Sequence, residues 1–235
     1  MFTGLVEEIG RVARLTRRGP GARVVIDAKM APLVLGESIA VDGVCLTVDR
    51  ILDGGFEADA SVETLERSSL EALGAARARV HLERATPLGG RMGGHMVSGH
   101  VDGIGQVTAA GPAGEAWRLV FVLDRALAPY VVEKGSIAVD GVSLTLNAVR
   151  DRAEEVELTL MVVPHTMRAT KLGDLRPGDR VNVEVDVVAR YVARQLALRT
   201  GGSGGGPRED APHDAHATDD PDQRILRKLR EGGFG

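Results

Sequence analysis

Ser38-Ile-Ala-Val-Asp-Gly-Val-Cys-Leu-Thr-Val48 decides the fold of this 235-residue chain, because nearly the same eleven residues return as Ser136-Ile-Ala-Val-Asp-Gly-Val-Ser-Leu-Thr-Leu146. The two copies differ only where Cys45 faces Ser143 and Val48 faces Leu146. Such agreement indicates an internal repeat. The Asp-Gly pair inside each copy favours a tight turn between two short strands. The sequence therefore predicts two tandem copies of one domain.

The rest of the chain follows the same repeat. Met1-Phe-Thr-Gly-Leu-Val6 returns as Met96-Val-Ser-Gly-His-Val101, and short valine-rich runs with turn residues between them predict strands. Residues 61–70 predict one short helix, residues 164–170 a matching helix, and residues 31–35 a short helical turn. A duplicated unit of about six strands favours two small closed antiparallel barrels, since closure leaves no exposed sheet edge. The predicted fold class is all-β, with short helices and a C-terminal helix.

Composition shifts along the chain predict its domain boundaries. The first barrel is expected over residues 1–86 and the second over residues 95–187. An amphipathic helix over residues 188–200 has no counterpart in the first unit and needs a surface to cover. A flexible Gly- and Asp-rich linker over residues 201–221 and a terminal helix over residues 222–235 complete the prediction.

Composition also excludes several classes of protein. The net charge of −4 and the pI of about 5.9 give no electrostatic footprint for nucleic acid. The chain has no apolar run of the ~18 residues that a membrane span needs, and residues 1–7 lack the pattern of a signal peptide, so we expect a cytoplasmic protein. One cysteine allows no intrachain disulfide, and six scattered histidines form no zinc spacing, so no metal is expected.

The combined motifs resemble those of a known enzyme family. The opening Met-Phe-Thr-Gly-Leu-Val, the twin Asp-Gly-x-(Cys/Ser)-Leu-Thr strands and Gly93-Gly-His-Met-Val-Ser-Gly-His100 resemble riboflavin synthase of the alpha-chain type, in the lumazine-binding barrel family. The likeness runs from Met1 to about Arg199. It implies tandem six-stranded Greek-key barrels, each of which binds one lumazine.

The resemblance also implies a reaction. Two molecules of 6,7-dimethyl-8-ribityllumazine dismutate to riboflavin and 5-amino-6-(D-ribitylamino)uracil, the last step of riboflavin biosynthesis, without a cofactor. It implies a homotrimer held by the C-terminal helices, with each active site between the first barrel of one subunit and the second barrel of its neighbour. It leaves room for an association with lumazine synthase.

Comparison of the repeats selects the candidate catalytic residues. His100 occupies the position of Leu5, and this polar replacement at a matched site favours a proton shuttle over a structural histidine. Cys45 against Ser143 makes two like pockets unequal, which suits a donor and an acceptor better than two core residues. His95, in a glycine-rich loop, is as well explained by capping of backbone groups. By resemblance Asp186 lies near the reacting pair, and its alternative role is a helix N-cap.

The resemblance further implies two matched sets of substrate-binding residues. The first set is Gly4, Leu5, Val6, Cys45, Leu46, Thr47, Asp59, Ala60, Ser61, Val62, Glu63 and Thr64. The second set is Gly99, His100, Val101, Lys134, Ser143, Leu144, Thr145, Met161, Val162, Val163, Pro164, His165 and Thr166. Lys134 matches a family position that reaches into the partner's pocket. His81 stands where the family more often has Asn, as at Asn182, which puts the polar contact of the first barrel in doubt.

Two other functions remain to be weighed. A non-catalytic lumazine or flavin binder, such as the antenna proteins of luminous bacteria, would not need His100, Ser143 or a trimerising helix. A barrel from a flavin-dependent reductase would need a dinucleotide-binding half, which the residues after position 200 are too few to supply. The sequence therefore favours the enzyme.

Overall fold

The computed structural model describes residues 1–201 and consists mainly of two antiparallel sheets. The first sheet contains β1 (Glu8–Arg18), β2 (Gly21–Asp27), β3 (Ser38–Val41), β4 (Val44–Thr47), β5 (Arg50–Leu52), β6 (Gly55–Ala60) and β7 (Arg79–Arg84). The second contains β8 (Gly103–Ala113), β9 (Ala116–Asp124), β10 (Ser136–Val139), β11 (Val142–Asp151), β12 (Glu155–Val162) and β13 (Arg180–Val185). We call the two sheets with their helices the first and second domains.

The second sheet is a closed barrel with the strand order β10-β11-β12-β9-β8-β13. Strands β10, β11 and β12 follow one another, and β9 lies beside β12, which is a Greek-key arrangement. Closure depends on β11, which pairs with β10 in its first half and with β12 in its second half. A bulge between Leu146 and Ala148 lets one strand make both pairings. The predicted barrel is confirmed here.

The first sheet has seven strands and curls without closing, in the order β4-β3-β7-β1-β2-β6-β5. Its β4 and β5 take the place of β11, because the strand is interrupted at Val48 and Asp49. Asp49 still donates its backbone N–H to the Glu57 carbonyl at 2.9 Å, so the break is short. The all-β tandem fold is confirmed, but the prediction of a fully closed first barrel is wrong at this break.

Four α-helices lie within the described residues: α1 (Val62–Arg67), α2 (Leu70–Ala76), α3 (Pro164–Ala169) and α4 (Val187–Gly201). Two 3-10 helices, Arg125–Tyr130 and Lys171–Asp174, lie there as well. The single helix predicted over residues 61–70 is wrong, because the backbone of Ser68 is extended and ends α1 before α2 begins. The helical turn predicted over residues 31–35 is absent as well, since Pro32 disfavours a helical conformation at Ala31.

The remaining helical predictions have mixed outcomes. The helix predicted over residues 188–200 is confirmed as α4, which exposes Val188, Tyr191 and Val192. The predicted linker lies outside the described residues from position 202 onward, and the predicted terminal helix lies outside them entirely. No helix among residues 1–201 combines the length and the apolar character that a bilayer crossing requires.

Each domain has its own aliphatic core, and a third small cluster joins the two domains. That cluster contains Phe2, Ala40, Val97 and Ala138, all almost fully buried. Phe2 and Val97 are equivalent in the repeat, and they exchange backbone hydrogen bonds of 2.7 and 3.1 Å. A pseudo-twofold axis therefore passes between these two residues.

The two Asp-Gly turns of the repeat meet near this axis. Asp42 and Asp140 are 0% and 1% exposed, and the Lys171 ammonium lies 2.6 and 3.1 Å from their carboxylates. Burial and the nearby Asp140 charge raise the pKa of Asp42 to about 7 in spite of this lysine. One ammonium thus faces two buried carboxylates, and Lys171 occupies the repeat position of Ser69.

His81 makes the same pair of contacts as Asn182. The Asn182 amide donates to the Asp42 carbonyl at 2.9 Å and accepts the Ser69 N–H at 2.7 Å. The His81 Nδ1 lies 2.8 Å from the Asp140 carbonyl, and its Nε2 accepts the Lys171 N–H at 2.8 Å. The doubtful polar contact of the first domain is therefore present, and it joins the two domains.

Candidate functional site

Two extended segments cross between the domains. We call residues 1–7 the first arm and residues 96–102 the second arm; they are equivalent in the repeat and pair with each other at Phe2 and Val97. Because the pairing is antiparallel about the pseudo-twofold axis, each arm continues toward the opposite domain.

The first arm is held by a buried carboxylate of its own domain. Glu83 on β7 accepts the Thr3 N–H and hydroxyl at 2.6 and 2.8 Å, and the Gly4 N–H at 3.0 Å. The Gly4 carbonyl then accepts the backbone N–H of Ser143 on β11 at 2.8 Å. The arm of the first domain therefore forms a wall beside Ser143 of the second.

The second arm repeats this arrangement in the other direction. Glu184 on β13 accepts the Ser98 N–H and hydroxyl at 2.6 and 2.7 Å, and the Gly99 N–H at 2.9 Å. The Gly99 carbonyl accepts the backbone N–H of Cys45 at 2.8 Å. Gly99 has a φ of +83°, and a Cβ there would lie 2.5 Å from the Cys45 Cβ, so the position requires glycine.

A cavity of about 410 Å³ opens where this second arm meets the first domain. Its walls are Val44, Cys45, Glu63, Thr64, Arg67, Ser68, Gly99, His100, Val101, Asp102 and Arg190. Six of these, from three distant segments, are candidates from the sequence. His100 is exposed to the cavity that Cys45 also lines, so a thiol and an imidazole face the same space.

Sequence reasoning missed the charged rim of this cavity. Arg190 on α4 forms an ion pair with Asp102 and stacks on Tyr130, with 5.9 Å between the guanidinium carbon and the ring centroid. Burial and the charge of Arg67 lower the pKa of Arg190. Arg190 belongs to a helix without a repeat counterpart, so comparison of the repeats gave no signal for it.

Ser143 has a histidine partner of its own. His95 Nδ1 lies 2.7 Å from the Ser143 Oγ. Burial lowers the pKa of His95, and the nearby Asp186 charge offsets part of that effect, which favours a neutral imidazole that can accept the hydroxyl proton. The buried His95 Nε2 has no hydrogen-bond partner among the residues that the structure describes. This arrangement is the geometry of a hydroxyl beside a general base.

Asp186 has the N-cap role that was one of the two roles considered from the sequence. Its Oδ1 accepts the Val188 N–H at 2.9 Å at the start of α4, and its charge acts on His95. One carboxylate therefore caps the helix and influences the imidazole next to Ser143.

Lys134 stands in a backbone conformation that usually requires glycine. Its φ is +68°, and its repeat equivalent Gly36 has a φ of +82°. Both residues donate the same backbone hydrogen bond at 2.8 Å, Gly36 to Val48 and Lys134 to Leu146. A non-glycine residue in this region costs about 1–2 kcal/mol and is concentrated at functional sites. Its side chain is exposed.

Several other candidates have side chains in the cores. Leu46, Ala60 and Val162 are 2%, 4% and 1% exposed, and Leu144 packs against the second core. Val6 of the first arm also packs against the second core. At the three buried positions only backbone groups are available to a ligand, whereas Leu144 and Val6 are partly exposed.

The remaining candidates lie near the surface, on the first arm, on strands, or at the starts of α1 and α3. Ser61 caps α1 by accepting the Thr64 N–H at 3.1 Å, and Asp59 pairs with Arg23 at 2.9 Å. Leu5, Thr47, Val62, Thr145, Met161, Val163, Pro164 and His165 are exposed, and Thr166 is half-buried. The structure brings the matched loops to equivalent edges of the two domains.

Comparison with known proteins gives a consistent result. The lumazine binding domain family matches residues 3–85 and again residues 98–186. The chain is 49% identical over 208 residues to riboflavin synthase of Mycobacterium tuberculosis, covering 83% of this chain and 98% of that protein. It is 37% identical over 198 residues to riboflavin synthase of Bacillus subtilis, covering 83% and 90%.

A solved structure agrees in fold. LumP in complex with 6,7-dimethyl-8-(1'-D-ribityl)lumazine has a TM-score of 0.65 and 21% identity, over 79% of this chain and 99% of that chain. At this identity the likeness establishes the architecture alone. The sequence relatives and the two matched domains carry the assignment further. The chain therefore belongs to the riboflavin synthase family and carries its lumazine binding domain twice.

Proposed function

We propose that this chain catalyses the dismutation of two molecules of 6,7-dimethyl-8-ribityllumazine to riboflavin and 5-amino-6-(D-ribitylamino)uracil. The observation that carries the proposal is that two equivalent sites contain different reactive groups. One site has the Cys45 thiol with His100, and the other has the Ser143 hydroxyl with His95. Identical substrates must act as donor and acceptor of a four-carbon unit, so two like sites with different reactive groups fit this reaction. Relatives named riboflavin synthase support it.

The chemistry requires proton transfer and close approach. One lumazine loses a proton from a ring methyl group, and the resulting carbanion attacks the other lumazine at an electrophilic ring carbon. The two products together contain every atom of the two substrates, so no oxidant, reductant or water is consumed. Holding two such reactants face to face contributes about 7–11 kcal/mol to a bimolecular step.

The named residues divide these tasks. His95 and Ser143 form a relay for a proton, since a buried neutral imidazole accepts readily from a hydroxyl. Cys45 adds to, or hydrogen-bonds with, the electrophilic lumazine, while His100 moves a proton in the same cavity. Glu63 and Thr64 contact the ribityl chain or the pyrimidine edge.

A complete site is proposed to need a second subunit. The first-domain cavity of one subunit faces the second domain of another, with Lys134 reaching across, in a homotrimer. The exposed apolar side chains of Val188, Tyr191 and Val192 on α4 support such an assembly. A cytoplasmic location and an association with lumazine synthase remain predictions.

The experiment is direct incubation of the purified chain with the lumazine alone, followed by visible absorbance and chromatography. We expect one riboflavin and one pyrimidinedione for every two lumazines consumed. Cys45→Ser, which makes the two repeats alike at this position, should slow turnover roughly tenfold or more while binding weakens less. Tight binding without any product would refute the enzyme and support the antenna-type binder instead.

A further inference from the structure

Two buried carboxylates have no part in the proposed chemistry. Glu83 and Glu184 are 6% and 4% exposed, and burial raises the pKa of each. A buried carboxylate is retained only where several hydrogen bonds compensate its desolvation. Here each accepts three bonds, all from one arm, so the carboxylates serve the arms.

In each sheet the buried carboxylate and the reactive side chain lie in line across three neighbouring strands, with one alanine between them. Glu184 pairs with Ala138, which pairs with Ser143, across β13, β10 and β11. Glu83 pairs with Ala40, which pairs with Cys45, in the same way. The small alanine between them belongs to the apolar cluster in which the arms cross.

Because the arms cross, each reactive site contacts an arm that is held by a carboxylate of the opposite domain. The Cys45 backbone N–H donates to the Gly99 carbonyl, and the Gly99 N–H donates to Glu184 of the other domain. The His100 N–H donates to the Ser98 Oγ at 3.3 Å, and that hydroxyl donates to Glu184. Two hydrogen bonds, through the Ser98 hydroxyl, therefore connect the His100 backbone to a carboxylate of the second domain.

We propose that Glu184 of the second domain is the positioning residue for the Cys45 and His100 site of the first domain. By the same argument, Glu83 of the first domain positions the wall of the Ser143 site. This inference rests on the proposed function for its catalytic consequence, but the geometry of the arms stands without it.

Glutamine is a suitable perturbation because it keeps the size of the side chain. Its amide offers one acceptor oxygen, and its NH₂ group would face a backbone N–H of the arm. Two donors facing each other in a buried place displace the arm. Glu184→Gln and Glu83→Gln make this same change at equivalent positions, so each variant is the control for the other.

The single cysteine supplies a readout that needs neither lumazine nor turnover. We expect Glu184→Gln to change the rate of Cys45 alkylation by iodoacetamide roughly tenfold, and Glu83→Gln by less than about twofold, although Glu83 is the closer in sequence. Both variants should keep cooperative thermal unfolding. In the activity assay, Glu184→Gln should lower kcat more than it raises KM.

Equal alkylation rates in the two variants would overturn the proposal, as would an unchanged rate in Glu184→Gln. If either variant fails to fold, Ser98→Ala against Thr3→Val makes the comparison through the hydroxyl donors of the two arms. The expected result is then a smaller change in the same direction, confined to Ser98→Ala. Because alkylation is independent of catalysis, absence of riboflavin synthesis would refute the proposed function without affecting this test.

Discussion

Replacement of His81 by asparagine should remove a specific sensitivity to acid. His81 is 2% exposed, and its Nε2 accepts the Lys171 N–H at 2.8 Å, so the neutral ring must carry its hydrogen on Nδ1. Protonation would place a second hydrogen against that N–H and a positive charge near the Lys171 ammonium. Burial and the Lys171 charge accordingly lower the pKa of His81 from 6.5 to about 4.

The lowered pKa of His81 determines how the unfolding free energy depends on pH. A histidine whose folded pKa is lowered contributes stability that is fully present above pH 6.5 and is lost as pH falls through about 4. The difference between the unfolded pKa of 6.5 and the folded pKa of about 4 corresponds to a loss of about 3 kcal/mol of unfolding free energy from pH 7 to pH 4. Asp42 acts in the opposite direction, because its raised pKa gives stability that is lost as pH rises through about 7.

The His81→Asn variant separates these two effects because both proteins retain Asp42. An asparagine side chain at position 81 can contact the Asp140 carbonyl and the Lys171 N–H as Asn182 contacts their repeat equivalents, so we expect a loss of about 1 kcal/mol or less at pH 7. Urea unfolding followed by circular dichroism, at one protein concentration and at several pH values, measures both curves. The wild type should lose about 3 kcal/mol relative to the variant between pH 7 and pH 4. Parallel curves would refute the assigned tautomer and its contacts.

Three further predictions concern other parts of the chain. Lys134→Gly should leave the melting temperature unchanged or higher, because it removes backbone strain at a positive φ, and should lower kcat/KM, because it removes the ammonium group. A lower melting temperature with full activity would contradict this. Lys171→Met should destabilise the protein by about 3–5 kcal/mol in urea unfolding at pH 8, since two carboxylates remain buried without their cation, and a loss below about 1 kcal/mol would contradict the ion cluster. Truncation after Asp186 should convert the proposed trimer to monomers in sedimentation velocity, and a trimer that survives the cut would place the contact elsewhere.

The repeat made much of the fold predictable. Two strands around an Asp-Gly turn, written twice, were sufficient for the tandem antiparallel architecture, because turn chemistry and valine-rich strands are local signals. The interruption at Val48 and Asp49 was not predictable, since both repeats have similar patterns there. Ser68 ended a helix through a backbone conformation that the hydrophobic period does not report.

The site was predictable where the repeats differ and hidden where they agree. Cys45 against Ser143, and His100 against Leu5, are visible by aligning the two halves. Glu184 matches Glu83 and therefore looked like an ordinary strand residue. The crossing of the arms was also hidden, because it depends on contacts between residues about 80 or more positions apart.

The ion cluster on the pseudo-twofold axis depends on a difference between the two halves of the chain. A contact in which each half gives its arm to the other is isologous, and two separate copies of one barrel could make it equally well. In such a dimer every residue would arrive at the axis twice, including any lysine at the position of Ser69 and Lys171. Two ammonium groups would then meet where one now bridges Asp42 and Asp140. A single bridging ammonium thus requires that the two halves differ at this position, as Ser69 and Lys171 do.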